Sequence, residues 1–200
     1  MHKYLASDNA WIRFISLLSV TLILFVIAWV IGFYLLPEGF LRGKFAGAAL
    51  AGETAAESLT KEFLRIAVIN LVMLAPILAG NWVFKHKEIP LGYVVPIVWA
   101  VIYAVVIGTN STTIPMPERM APSMQVLARS GLYEISAYAL AAAATYYISA
   151  YRVIRFYPPE SEKIMPAPRL LHAIHWPALA TAILLLMAAN LWEAYQIVRL

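Results

Sequence analysis

Long apolar runs alternate with short charged stretches over most of this chain. The first, FISLLSVTLILFVIAWVIGFYLL from Phe14 to Leu36, carries no charge. About 20 apolar residues at about 1.5 Å each cross the hydrocarbon of a bilayer as a helix. Four further runs have that character, over 66–84, 91–108, 132–154 and 176–197. They are apolar all round, whereas barrel strands alternate, and lipid tolerates only helices or closed barrels. The pattern predicts an all-α polytopic membrane protein: one integral membrane domain over 1–200, with about five transmembrane helices plus interfacial helices. The first run exceeds the apolar core of a secretory signal, so it reads as an uncleaved anchor.

The breaks between runs predict the rest. Residues 37–62 hold Glu38, Arg42, Lys44, Glu53, Glu57 and Lys61 and fall outside the hydrocarbon. Thr54 with Glu57 fits a capping box and predicts a short interfacial helix there. KHKEIP reads as a basic turn and FYPPESEKIMPAPR as a proline-rich polar loop. NSTTIPMPERMAPSMQVLARSG is long for a connection and lacks a helical period. Such connections are functional or ordered by packing, and part of Ala121–Ala128 is expected to be helical.

Composition narrows the function classes. Hydrophobic residues make up 62% and charged residues 13%, against about 25% charged in soluble domains. The net charge of +4 is small and dispersed, which suits lipid contact and topology and not nucleic acid. With no cysteine, thiol catalysis, iron–sulfur clusters and thiolate metal sites are excluded. No P-loop, HExxH or GxSxG pattern occurs. The sequence therefore offers no catalytic residue, no cofactor and no metal site. Basic residues divide almost evenly between the two sides of a five-span chain. All four histidines share the side of the N-terminus, which leans toward a cytoplasmic N-terminus in a prokaryotic cytoplasmic membrane.

Ionisable and amide groups inside apolar runs are costly and are functional candidates by default. Glu134 opens the fourth run, with Arg129 close in sequence and Ser130 available as a cap. A carboxylate there suits the positive end of a helix. Asn70 could meet it across the bundle, so Glu134, Asn70 and Arg129 form the expected polar centre. A purely structural clamp is the alternative. Asn81, Glu118 and Arg119 are secondary candidates, as packing amides or as a charge pair in the long connection. Asn190 with Glu193 forms a polar patch late in the last run. Asn110 begins an NST sequon close to a membrane end. His172 and His175 share a helix face, a spacing that fits an interfacial helix ahead of Trp176 better than a metal site lacking further ligands.

Three segments resemble the stage II sporulation protein M family of membrane proteins: FLRIAVINLVMLAPILAG, GYVVPIVWAVIYAVVIGTNS and RSGLYEISAYALAAAAT. They lie between Glu62 and Ala150. Asn70 and Gly131–Tyr133–Glu134 stand where that family has a polar Asn and a small–aromatic–Glu element. Ile69–Asn70 and Ser130–Gly131 depart from its paired asparagines and its histidine–glycine pair. The resemblance implies a multi-span helical protein without an established enzyme activity.

The sequence thus reads as a non-enzymatic subunit or scaffold of a membrane complex. Its partners would be the lipid bilayer and other membrane subunits, or copies of itself. The alternative is a small transporter or permease component that moves an ion or small solute past Glu134. A transporter requires a cavity reaching that residue, whereas a scaffold requires dry packing around it.

Overall fold

The computed structural model describes residues 2–44, 56–112, 116–128 and 131–199. A short α1 (His2–Leu5) precedes α2 (Ala10–Leu35), whose start is fixed by Asn9: its side chain accepts from the backbone of Trp11 at 2.8 Å. Helix α3 (Leu59–Val83) begins at Ser58, whose hydroxyl accepts from Lys61 N at 3.3 Å. The expected capping box is thus displaced. Thr54 lies outside the described residues, Glu57 pairs with the side chain of Lys61, and the helix at Leu59 runs unbroken into the second apolar run. The apolar pattern continues through α4 (Val94–Gly108), entered by a 3-10 turn over Leu91–Tyr93. The last long helix, called α8 below, spans Trp176–Val198.

Four helical segments are long and apolar enough to cross a membrane: 10–35, 59–83, 91–108 and 176–198. Ile23, Ile27, Val68, Val72 and Leu184 stand exposed along them, as lipid-facing positions should. This is the arrangement of a polytopic membrane protein.

The fifth expected span is corrected. The run 132–154 forms α6 (Gly131–Ala144), then a 3-10 turn over Tyr146–Ile148, then a strand from Tyr151 to Arg155. Fourteen helical residues reach about 21 Å, short of a hydrocarbon core of about 30 Å. The helix stops because other elements take its last carbonyls. Ala142 O accepts from Asn81 Nδ2 at 2.8 Å, Ala143 O from the Arg13 guanidinium at 3.0 and 3.2 Å, and Ala144 O from His175 N at 2.9 Å. Beyond that point TYYISAYRVIR is rich in β-branched and aromatic residues, which favour strands.

The all-α expectation is corrected with it. Strands β1 (Phe84–His86), β2 (Ile89–Pro90), β3 (Tyr151–Arg155) and β4 (Glu160–Lys163) form one sheet in the order β2-β1-β3-β4. β1 and β3 run parallel, because α3 and α6 deliver their C-terminal ends side by side; the outer pairs are antiparallel hairpins. KHKEIP thus holds the end of β1, its turn and β2, and the proline-rich stretch holds the β3–β4 turn and β4 itself. Two short helices, α5 (Met124–Leu127) and α7 (Leu170–Ala173), complete the order. The first lies within the stretch expected to be helical, capped by Ser123.

Helix α6 is the axis of the bundle. Ala137 and Ala139 through Ala144 are all buried, as expected of a helix apolar all round. Its alanines let α2, α3 and α8 approach closely. One end of the bundle gathers the start of α2, the end of α6, the start of α8 and the sheet. The opposite end gathers the ends of α2 and α4. There Arg119 donates to Gly32 O at 2.6 Å, Leu36 O at 3.0 Å and Gly108 O at 3.0 Å. One guanidinium so serves two converging helix C-termini, the charge their dipoles favour.

Candidate functional site

Asn70 lies midway along α3, facing α6 and α8. Its amide nitrogen donates to Glu134 Oε1 at 2.9 Å and to Asn190 Oδ1 at 2.6 Å. Its oxygen accepts from the Tyr138 hydroxyl at 2.9 Å. Both amide hydrogens are therefore used, and three helices are joined through one side chain. Glu134 and Tyr138 are four residues apart on α6 and so share a face.

A second carboxyl completes the centre. Glu193, on α8, lies close to Glu134. Asn190 sits one turn earlier on α8 and is fully buried, and its own NH2 has no partner among the described residues. Toward the end of the bundle opposite the sheet, buried Glu62 pairs with Arg65 at 2.5 Å and accepts from Ala56 N at 2.8 Å. Glu62 is near enough to Glu193 for their charges to interact. Acidic groups thus step from that end of the bundle to its interior, ending at Asn70 and Tyr138.

Beside this network lies a cavity of about 350 Å³ between α3, α4 and α6. Asn70, Glu134 and Tyr138 supply its polar wall, Trp99 and Tyr103 its aromatic one, and Ser111 and Thr112 line it toward the connection. The wall needs glycine at position 131: a Cβ there would lie 2.5 Å from Tyr103 Cε1. A carboxylate beside aromatic faces in a low-dielectric setting is a setting for a cation.

The remaining candidates are elsewhere. Arg129 lies outside the described residues. Asn81 is fully buried at the other end of α6, bound to Ala142 O and to Thr145 Oγ1, both at 2.8 Å; it is a helix stop and not part of the centre. Arg119 is committed to the carbonyls of α2 and α4, and Glu118 stands exposed. Asn110 is 1% exposed and donates to Glu38 Oε1 and Met116 O. Its amide is therefore closed to glycosylation. His175 caps α8, accepting from Ala178 N at 3.2 Å, and His172 is exposed. Among the described residues no group of three histidine, aspartate or glutamate side chains could hold a metal.

Sequence reasoning missed Tyr138 and Glu62, and it kept Asn190–Glu193 apart from Glu134. The i, i+4 spacing of Glu134 and Tyr138 was the available signal. No family model matches the chain, and neither a curated protein nor a solved structure does.

Proposed function

We propose that this chain is a small membrane carrier or permease component that takes a monovalent cation or small protonated amine into the cavity at Glu134. One observation carries the reading: the cavity reaches the half-buried Asn70–Glu134–Tyr138 network instead of being filled by side chains. Glu134 supplies the counter-charge. Trp99 and Tyr103 offer aromatic faces to the bound charge. The acidic groups Glu62 and Glu193 support entry from the end of the bundle away from the sheet.

A subunit or scaffold role would leave the same network as a structural clamp, and dry packing would suit it better than a cavity. The resemblance to the stage II sporulation protein M family rests on segments that include both Asn70 and Glu134, and it implies no enzyme. Flux of potassium and of methylammonium into proteoliposomes separates the readings. Flux above that of protein-free vesicles, lost in Glu134→Gln with the melting temperature kept, supports the carrier. Wild-type flux equal to that of empty vesicles for both probes defeats it and leaves the scaffold.

A further inference from the structure

The sheet has two unlike faces. On one, Lys85 Nζ meets Glu88 Oε2 at 2.7 Å, Arg152 meets Glu88 Oε1 at 3.0 Å, and Arg152 meets Glu162 Oε1 at 3.1 Å. That charged ladder belongs in water. On the other face, alternation brings Phe84 and His86 of β1 beside Tyr151 and Val153 of β3, with Arg155 further along β3 lining the same groove. Phe84, His86, Val153 and Arg155, with Leu91 and Val94 at the start of α4, enclose this groove of about 600 Å³, of the size that takes a ligand. Leu91 and Val94 are about half exposed and Phe156 is 69% exposed, so this apolar surface has no cover within the described chain.

Two features say what covers it. The first is depth. Leu91 opens the segment 91–108 that is apolar enough to cross a membrane, so the groove opens where a span enters the bilayer. Tyr157 at the β3–β4 turn is 90% exposed, and with Phe156 it forms an aromatic tip suited to the membrane interface. The second is charge. The rim carries His2, His86, Lys87 and Arg155, against one lining carboxylate, Glu160, which Arg155 holds at 2.6 Å. Lys87, exposed at the β1–β2 turn, takes part in no ion pair among the described residues. The apolar floor matches an acyl chain, and the cationic rim matches an anionic phosphodiester at the same depth.

We propose that this groove binds one anionic phospholipid, with an acyl chain against Phe84, Val94 and Val153 and its phosphate at Lys87. The proposal is independent of the cavity at Glu134, which lies toward the other end of the bundle. The test is native mass spectrometry of the delipidated full chain in detergent, titrated with phosphatidylglycerol or phosphatidylcholine. One phosphatidylglycerol should be retained, roughly fivefold more tightly than phosphatidylcholine, the effect of one basic side chain near a headgroup. Lys87→Gln, at an exposed turn, should erase that preference. Val94→Trp should fill the groove and abolish retention of both lipids, with Ile23→Trp on the outer face of α2 as the bulk control. Equal retention of the two lipids by the wild type overturns the proposal. So does unchanged retention in a Val94→Trp protein whose melting curve matches the wild type. A dimer that Val94→Trp splits would make a second copy the occupant and would also overturn it. If Val94→Trp does not fold, Lys87→Gln decides: an unchanged preference for phosphatidylglycerol refutes the proposal.

Discussion

Replacing Asn70 with leucine removes an amide whose two hydrogens and oxygen all have partners. Leucine keeps the bulk and stays apolar, so the loss falls on what remains. Asn190 Oδ1 loses its donor, the Tyr138 hydroxyl loses its acceptor, and Glu134 Oε1 loses the amide of Asn70. An intramolecular hydrogen bond contributes about 0.5–1.5 kcal/mol, and a polar group left buried without a partner costs about 1–3 kcal/mol. Within membranes, measured pairs average about 0.6 kcal/mol, because the unfolded chain also finds partners. Three lost bonds, with the Asn190 oxygen and the Tyr138 hydroxyl left without that partner, therefore predict a destabilisation of about 2–4 kcal/mol. Trp99 packs edge-on against Tyr138 with centroids 6.1 Å apart, so tryptophan fluorescence should follow the site during denaturant unfolding in mixed micelles. A double-mutant cycle with Tyr138→Phe should show a coupling of about 0.5–1 kcal/mol, since the two side chains share one bond. Asn70→Leu within about 0.5 kcal/mol of the wild type would refute the idea that this amide ties three helices together.

Three other perturbations have definite outcomes. Arg119→Met should free the carbonyls of Gly32, Leu36 and Gly108 and cost about 1–3 kcal/mol, with faster amide exchange over 37–42 and 109–112; protection equal to the wild type would contradict the capping role. Gly92→Ala should sharply lower the yield of folded protein, because a Cβ would lie 2.2 Å from Ile77 O and 2.3 Å from Asn81 Oδ1; a normal melting temperature would show that α3 can move away. The hydrogen bond from Lys85, with the charges of Lys85 and Arg152, holds the Glu88 carboxyl below its usual 4.5 despite partial burial. A depressed folded value means that its contribution is complete at neutral pH and fades as pH falls below 4.5 through that value. Glu88→Gln should remove this acid-dependent loosening of the β1–β3 pairing, and an unchanged acid profile of exchange at 84–86 and 151–153 would exclude Glu88 as its source.

The four long helices were legible because composition alone fixes them. Runs such as 14–36 leave the backbone no alternative to a helix in lipid. The run 132–154 was misread because its average hydropathy conceals a change of period at Thr145. ALAAAAT is made of strong helix formers, whereas YYISAYRVIR is not. What ends α6 is the arrival of Arg13, Asn81 and His175 at its last carbonyls. Arg13 is 130 residues away from Ala143 and Asn81 is 61 away from Ala142. No local window contains them. The sheet was hidden for the same reason: FKH and IP are too short to announce strands, and they pair only because α3 and α6 end side by side.

The rule that a polar group inside a span marks function sorted the site only in part. It picked out Glu134 and Asn70, and it also picked out Asn81 and Arg119. The four differ in what they bind. Arg119, like Arg13, has spent its donors on carbonyls at helix ends. Asn81 closes α6 in the same way. These side chains replace the backbone bonds that a helix terminus lacks, so their burial is explained by the fold. Glu134, Asn190 and Tyr138 all bind Asn70 instead, and none closes a helix. Glu134 also lines the cavity. Burial without a backbone debt, next to a cavity, is what separates a site from a cap. Sequence cannot report it, because the Asn70 amide that Glu134 accepts from lies 64 residues away on α3.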